Sequence, residues 1–187
     1  MESKTVYFEK PGSGNTEATL RIAKKRADEL GIKTVLVAST EGDTAAAAVE
    51  MLKGIRVIAV SWATGWKEPS VQRFTEENRK IFEGKGGVLL TTGHTFGGVS
   101  RAIRDKFNTY AIGDMLASTL RIFGDGMKVV CEIAMMAADS GIIPSNDDVI
   151  CIGGTSRGAD TAVVLKPVNS IRFFDLKVRE ILCKPHF

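Results

Sequence analysis

The sequence has few cysteines, no long apolar run and no leader pattern, and each shortage excludes a class of protein. The three cysteines (Cys131, Cys151 and Cys183) are odd in number and form no C-x-x-C pair, so they encode neither a zinc cage nor a disulfide framework. We expect Cys131 and Cys151 to be small core residues. The longest apolar stretch, Ile133–Ala138, is far shorter than the about 20 residues that cross a bilayer. The opening residues, MESKTVYFEKPGSGN, have no basic region followed by an apolar core, so no secretory signal is predicted.

The charge balance is close to neutral and gives little information about partners. The chain has 187 residues, with 25 basic and 22 acidic side chains and a formal net charge of +3. A nucleic-acid-binding protein needs its basic residues clustered on one face, so neither a nucleic acid nor a membrane is expected as partner. Apolar residues make up 44% and charged residues 25%, as in soluble globular proteins. We therefore expect one cytoplasmic domain over residues 1–187, without a metal site.

Short β-branched runs alternate with longer helical patterns along the chain. The runs that suit strands buried on both faces are Lys33–Ala38, Arg56–Ser61, Gly87–Thr91 and Val149–Ile152. Helices are predicted at Thr16–Leu30, Asp43–Leu52 and Pro69–Phe82, with two or three more within Gly97–Ser140. Asn15 suits the N-cap of the first helix and Gly31 its C-terminal stop. This alternation predicts a parallel sheet covered by helices on both faces.

The last part of the chain departs from the alternation. A further strand is predicted at Thr161–Val168, separated from the preceding strand by Gly153–Asp160 alone. That connection is too short for a helical crossover, so the two strands are predicted to be antiparallel neighbours. Pro167 cannot donate to a neighbouring strand, which favours the sheet edge for this strand. With a terminal helix at Phe173–Leu182, the predicted fold class is α/β: three layers around a mostly parallel sheet with an antiparallel edge strand.

Four polar, glycine-rich segments follow the predicted strands, where ligands bind in open parallel sheets. They are STEGDT (39–44), SWATGW (61–66), TTGHTFGG (91–98) and GGTSRGAD (153–160). Glycine lets backbone N–H groups approach a phosphate, Ser and Thr donate further bonds, and a helix N-terminus adds partial positive charge. None of the four matches G-x-G-x-x-G or G-x-x-x-x-G-K-[ST], so no dinucleotide or nucleoside-triphosphate fingerprint is present.

Two side chains in these segments have distinctive chemistry, and each has two interpretations. His94 is placed to hydrogen-bond a ring edge or to shuttle a proton, or else it bonds to a neighbouring loop. Arg157 suits bidentate recognition of an oxyanion, or else it is a surface arginine. No Ser-His-Asp or Cys-His arrangement can be assembled from local spacing, so no catalytic residue is assigned.

The order of segments resembles the carboxy-terminal domain of pyruvate kinase. The run TVLVASTEGDTAAAAVEMLKGIRVIAVSWATG resembles its strand, phosphate loop, Ala-rich helix and second strand, and DDVICIGGTSRGADTAVVLKPV resembles its last strand pair with a glycine-rich loop. The start, FEKPGSGNTEATLRIAKKRADELGIK, is similar to small stand-alone proteins classed as pyruvate kinase α/β-domain-like. The resemblance covers most of residues 5–170 and is weakest over 84–146.

This resemblance implies a phosphate pocket rather than a kinase. In pyruvate kinase the catalytic machinery lies in a separate barrel, for which 187 residues leave no room, so that activity is not expected. The stand-alone relatives are thought of as flavin mononucleotide (FMN) binders, which makes FMN the expected cofactor. The alternatives are a flavin-dependent oxidoreductase assisted by His94 or a cysteine, and a non-catalytic sensor of a sugar phosphate. A homo-oligomer is also implied, and the segment from Ile112 to Ile143 is rich in Met and Ala.

The candidate binding residues are distributed over all four segments. By the resemblance, one phosphate is held by Ser39, Thr40, Gly42 and Thr44, and the far end of the ligand is covered by Thr155, Ser156, Arg157 and Gly158. The two middle segments add Thr64, Gly65, Trp66, Thr92, Gly93, His94 and Phe96. The aromatic side chains Trp62, Trp66 and Phe96 are the candidate partners of a flat ring.

Two carboxylates in the first segment depart from the family pattern, which has neutral or basic residues there. Glu41 or Asp43 at ~4 Å from a phosphate would repel it by about 4 kcal/mol at an effective dielectric constant near 20. Either both carboxylates point outward, or this loop holds no phosphate. Asp43 could instead cap the helix that follows it.

Overall fold

Seven strands form one sheet in the computed structural model, which describes residues 2–186. The strands are β1 (Val6–Phe8), β2 (Thr34–Ala38), β3 (Arg56–Ser61), β4 (Val88–Thr91), β5 (Val149–Gly153), β6 (Thr161–Lys166) and β7 (Lys177–Pro185). The helices are α1 (Thr16–Leu30), α2 (Asp43–Met51), α3 (Glu76–Gly84), α4 (Gly98–Phe107), α5 (Ile112–Arg121) and α6 (Asp125–Asp139). Short 3-10 segments lie at Ser13–Asn15 and Ser170–Asp175. None of the described helices is both long and apolar enough to cross a membrane.

The central strands are covered on both faces, which confirms the predicted three-layer α/β fold. Successive side chains of a strand point to opposite faces, and β2 shows the result. Val35 and Val37 pack in a core with Leu20 of α1, whereas Leu36 lies in a second core with Val130 of α6. Because both faces are apolar, the sequence of β2 reads as a continuous β-branched run rather than as an alternation.

The strand order is β1-β7-β6-β5-β2-β3-β4, and it corrects one prediction. Strands β5, β2, β3 and β4 are parallel, and β6 runs antiparallel to β5 as predicted. However, β6 does not lie at the edge, because β7 pairs with its other side and β1 pairs with β7. Pro167 follows the last residue of β6 and so removes no hydrogen bond from the ladder.

The predicted terminal helix at Phe173–Leu182 is wrong, since most of that range belongs to β7. The backbone N–H and C=O groups of β6 need partners on both sides, and a strand supplies them where a helix does not. The three-residue strand β1 was not predicted either, because three residues are too few to show a periodicity. Helix α3 begins at Glu76 rather than at Pro69. Thr75 is its N-cap, and the Thr75 hydroxyl accepts a hydrogen bond from the Asn78 N–H at 3.2 Å.

Two helix starts bear on the site. Helix α1 occupies the predicted range and stops at Gly31 with φ 68°, but the Asn15 side chain makes no cap bond and donates instead to the Lys10 carbonyl at 2.7 Å. Helix α2 begins at Asp43, which is therefore inside the helix rather than its cap. Gly42 precedes it with φ 103°, and a Cβ there would lie 2.4 Å from the Asn78 Cβ, so the chain enters α2 through a position that requires glycine.

Candidate functional site

A cleft of about 620 Å³ lies at the carboxyl ends of β2, β3 and β5. Its walls come from the β2–α2 loop, from Trp62 after β3, from the start of α6 and from the β5–β6 loop. Its lining residues are Ala38, Ser39, Thr40, Glu41, Asp43, Thr44, Trp62, Arg73, Arg121, Asp125, Lys128, Val129, Gly154, Ser156, Arg157 and Gly158. Because these three strands are parallel, their following segments meet at one edge of the sheet, which is the usual ligand position in this architecture.

Two of the four glycine-rich segments line this cleft. The residues they contribute from the candidate set are Ser39, Thr40, Thr44, Ser156, Arg157 and Gly158. Gly42 lies just behind, at the N-cap of α2. Thr155 is also in the second loop, but its hydroxyl is buried without a hydrogen-bond partner while its N–H donates to Asp160.

The two middle segments lie outside the cleft, apart from Trp62. The candidates that the structure does not bring to it are Thr64, Gly65, Trp66, Thr92, Gly93, His94 and Phe96. The ring of Trp66 stacks on His94 with centroids 4.1 Å apart, while Arg101 lies over Trp66. Phe96 is almost fully buried and packs edge-on against Phe173. Of the three candidate ring partners, Trp62 alone faces the cleft.

Two helix N-termini lie at the cleft. Asp43 and Thr44 belong to the first turn of α2, and Asp125 begins α6. The first amides of a helix have no acceptor inside it and carry partial positive charge. One of these amides is already paired, because the Ala45 N–H donates to the Ser39 Oγ at 3.2 Å. The amides of residues 43 and 44, together with the Thr44 hydroxyl, are the donors that this end of α2 offers to an anion.

Glu41 and Asp43 both line the cleft, so they do not point away from it. Each is neutralised by an arginine: the Arg157 guanidinium donates to Asp43 at 2.8 Å and to Glu41 at 3.2 Å, and Arg73 also pairs with Glu41. The hydrogen bond to Asp43 and the charge of Glu41 raise the pKa of Arg157. Arg157 thus bridges the β5–β6 loop to the β2–α2 loop across the cleft.

Sequence reasoning missed a buried ion pair behind the wall of the cleft. Lys128 lines the cleft and pairs with Glu132, one turn further along α6. Glu132 also accepts from the Phe96 N–H at 2.9 Å and contacts His94 Nδ1 at 3.5 Å. Burial raises the pKa of Glu132, but the hydrogen bond from His94 and the charge of Lys128 outweigh it and lower that pKa to about 2. The sequence signal was a Lys and a Glu four positions apart inside an otherwise apolar helix.

Both ring nitrogens of His94 are occupied. Its Nε2 accepts from the Ala63 N–H at 3.4 Å, which places the ring proton on Nδ1, facing Glu132. This is the loop-bonding interpretation of His94 rather than a proton shuttle. The cysteines offer no alternative, since Cys131 and Cys151 are buried as predicted and burial raises the pKa of Cys131 to about 12. Cys183 is buried as well, with its pKa raised to about 11 by burial.

A fully buried carboxylate fixes the base of the β5–β6 loop. Asp160 accepts from the Thr155 N–H at 3.1 Å, from the Gly12 N–H at 2.9 Å and from the Thr161 hydroxyl at 2.8 Å. Gly158 packs closely on the segment that contains Gly12, because a Cβ at position 158 would lie 2.5 Å from the Ser13 Cα. The loop is therefore anchored at its base, while Arg157 at its tip stays exposed.

Comparison with known proteins finds one matching family and several pyruvate kinases. The family described as "Pyruvate kinase, alpha/beta domain" matches residues 17–165. A pyruvate kinase from Cryptosporidium parvum is 12% identical over 82% of this chain, with a TM-score of 0.42 and 23% of its own length covered. The same organism's pyruvate kinase in complex with ADP is 13% identical over 82%, with a TM-score of 0.40 and 24% of its length covered. The chain thus spans less than a quarter of the length of these pyruvate kinases.

Proposed function

Because the chain belongs to the pyruvate kinase alpha/beta domain family, we propose that its edge cleft binds a small phosphorylated ligand. The observation that carries this proposal is the convergence of two helix N-termini with arginine and lysine side chains in one cleft. A phosphate needs several directed donors at once, and here backbone amides, hydroxyls and cations lie within one space. At about 620 Å³ the cleft has the size usual for small-molecule sites.

The carboxylates of the β2–α2 loop are compatible with this proposal. Arg157 is 71% exposed, and ion pairs this accessible to water are weak. A phosphate dianion forms charge-assisted bonds to a guanidinium that are shorter and stronger than neutral ones, so it can take Arg157 in place of Glu41 and Asp43. Lys128 needs no exchange, since its counter-ion Glu132 lies behind the wall rather than in the cleft.

FMN is the ligand we propose first, with Trp62 as the support of its ring. Trp62 lines the cleft, and the Arg73 guanidinium lies 5.8 Å from the centre of its ring. The phosphate would be held by Thr40, Thr44 and the start of α2. A sugar phosphate would use the same donors without the ring contact. A flavin-dependent reaction gains no support from His94 or from the cysteines, whose positions are described above.

Titration with matched ligand pairs tests the proposal. We expect FMN to bind more tightly than riboflavin, and Thr44→Val to weaken FMN roughly tenfold to a hundredfold by removing one hydroxyl donor. Riboflavin binding should barely change in that variant, because it lacks the phosphate. Thr92→Val is the matched control, since Thr92 lies outside the cleft. If FMN, riboflavin, sugar phosphates and inorganic phosphate all fail to bind, the cleft is not a phosphate site.

A further inference from the structure

Four cations line the cleft, and they differ in where their counter-ions lie. Three of them pair with carboxylates that line the same cleft: Arg73 with Glu41, Arg121 with Asp125, and Arg157 with Glu41 and Asp43. The fourth, Lys128, pairs with Glu132, which does not line the cleft. Among the residues that the structure describes, Lys128 is therefore the cleft cation whose charge is balanced from behind the wall.

Glu132 is held from outside the cleft as well as by Lys128. Its side chain is 4% exposed, and its Oε1 accepts from the Phe96 N–H at 2.9 Å. Its Oε2 is shared, because it pairs with the Lys128 ammonium and also contacts His94 Nδ1 at 3.5 Å. Two of these three partners belong to the β4–α4 loop, so that loop determines part of the surroundings of the Lys128 counter-ion.

His94 is held in the orientation that this contact requires. The Ala63 N–H donates to its Nε2 at 3.4 Å, and the ring stacks on Trp66 with centroids 4.1 Å apart. Its side chain is only 10% exposed. A ring that accepts at Nε2 carries its proton on Nδ1 and is neutral. His94 therefore offers Glu132 a donor without adding a charge.

The shared oxygen links His94 to the charge of Lys128. Each N–H that Glu132 accepts compensates part of the carboxylate charge, which leaves less of that charge to attract the ammonium. A lysine ammonium has three donors, and those that Glu132 does not use are available to a ligand in the cleft. Removing the His94 donor should therefore draw Lys128 toward Glu132 and away from the cleft.

We propose that His94 and Glu132 are positioning residues of the cleft, which together set how much of the Lys128 charge is offered to an anionic ligand. Neither side chain lines the cleft, so both act through Lys128 rather than by contact with the ligand. The inference rests on the proposed function, because it takes the ligand to be an anion. It gives the β4–α4 loop a part in binding although the loop lies outside the cleft.

Two substitutions with opposite expected effects on affinity test the proposal. In His94→Leu, Glu132 keeps its charge and loses a donor, so we expect FMN and inorganic phosphate to bind about threefold more weakly. In Glu132→Gln the Lys128 charge is released to the cleft, while the amide oxygen can still accept from the Phe96 N–H. We expect both anions to bind about three- to tenfold more tightly in that variant.

Three further variants show whether the effect passes through Lys128. His94→Asn, whose amide N–H can replace the Nδ1 donor, should restore wild-type affinity. In a Lys128→Met background, His94→Leu should have no further effect on binding. Thr92→Val is the matched control, since Thr92 is in the same β4–α4 loop and outside the cleft lining. Riboflavin, which lacks the phosphate, should bind equally well to all of these variants.

Acetylation of the unliganded protein gives a readout that needs no ligand. The Lys128 side chain is 13% exposed and paired, so limiting acetic anhydride should modify it slowly. We expect acetylation of Lys128, followed by peptide mass spectrometry, to be at least about threefold faster in Glu132→Gln, where the flexible side chain can reach water. It should be slower in His94→Leu. Lys25, whose side chain is 80% exposed on α1, is the internal reference.

The signs of the effects separate positioning from a role in folding alone. A folding role predicts weaker binding in both His94→Leu and Glu132→Gln, and that result or unchanged affinity in both would overturn the proposal. An effect of His94→Leu that persists without Lys128 would overturn it as well. If Glu132→Gln fails to fold, as judged by circular dichroism, the His94 and Lys128 variants decide.

Failure of the proposed function would be recognised separately. If FMN and inorganic phosphate do not bind but the acetylation rates change as expected, the cleft is not an anion site, while the control of Lys128 by Glu132 and His94 stands. If the anions bind and the acetylation rates of Lys128 are the same in all variants, the proposed function stands and the positioning role is wrong.

Discussion

Two pairs of loops at the same edge of the sheet have similar compositions, but only one pair lines the cleft. The β2–α2 and β5–β6 loops line it and are called the open loops below. The β4–α4 loop and most of the segment after β3 pack on each other through Trp66 and His94 and are called the closed loops. The difference comes from α6, where the buried Glu132 binds the Phe96 N–H and faces His94. Composition therefore indicates which segments reach the edge, while a partner inside the opposing helix decides which of them stays open.

The largest effect is expected from removing that partner. Glu132→Ala leaves Lys128 unpaired in a buried position and the Phe96 N–H without its acceptor, so we expect a loss of about 3–5 kcal/mol in the free energy of unfolding. Urea unfolding measures it. Glu17→Ala is the control, because Glu17 forms an exposed pair with Arg21 and should cost only about 0–1 kcal/mol. Equal losses in the two variants would show that Glu132 does not fix the closed pair of loops.

The pH dependence of stability should identify the same group. The pKa of Glu132 is lowered to about 2 in the folded chain. The stability that its charge contributes is therefore fully present above the ordinary pKa of the unfolded chain, and it is lost as the pH falls toward 2. We expect the wild-type protein to lose about 3 kcal/mol more than Glu132→Gln between about pH 5 and pH 2. Parallel pH profiles of the two proteins would contradict the shifted pKa.

Replacing a glycine by alanine should have a smaller effect on stability, and this effect should differ between the open and the closed loops. Gly158→Ala places a Cβ 2.5 Å from the Ser13 Cα at φ 73°, so we expect a loss of about 2 kcal/mol, seen as a lower melting temperature. Gly93→Ala, in the β4–α4 loop, meets nothing within 4 Å and should change stability by less than about 0.5 kcal/mol. If Gly158→Ala is as stable as Gly93→Ala, the β5–β6 loop is not anchored at its base.

The smallest effect concerns the charge of the open loops. Glu41→Gln with Asp43→Asn frees Arg157 and Arg73 from their carboxylates, so we expect FMN and inorganic phosphate to bind about three- to tenfold more tightly. Glu76→Gln with Glu77→Gln, in the first turn of α3, removes the same charge outside the cleft lining and serves as the control. Weaker binding in the cleft variant would mean that these carboxylates contact the ligand directly.

The elements that were predicted from the sequence are those with local signals. Helix α1 and strand β3 match their predicted bounds, because helical periodicity with a glycine stop and a buried β-branched run are encoded within the segments themselves. Strand β7 could not be found in this way, since what makes Lys177–Pro185 extended is the unpaired edge of β6, a neighbour that the local pattern does not show.

The candidate site was predicted in outline for the same reason. Ser39, Thr44 and Arg157 follow strands and reach the cleft, whereas Lys128 and Arg73 come from helix and loop positions that only the packing of α6 and of the segment before α3 brings to it. The pairing of Arg157 with Glu41 and Asp43 joins two loops that are distant in sequence, so the paired state of the two carboxylates had no local signal.

The pairing of β1 with β7 has a consequence for the order in which the molecule folds. The Thr5 hydroxyl donates to the Ile181 carbonyl at 2.8 Å across a separation of 176 positions, and contacts of such range close last because of their chain entropy. The Asp160 carboxylate likewise meets the Gly12 N–H 148 positions away. The β5–β6 loop is therefore completed only when the earliest part of the chain returns to it. During synthesis, this loop is anchored late, because residue 160 emerges long after the residues of β2 and β3.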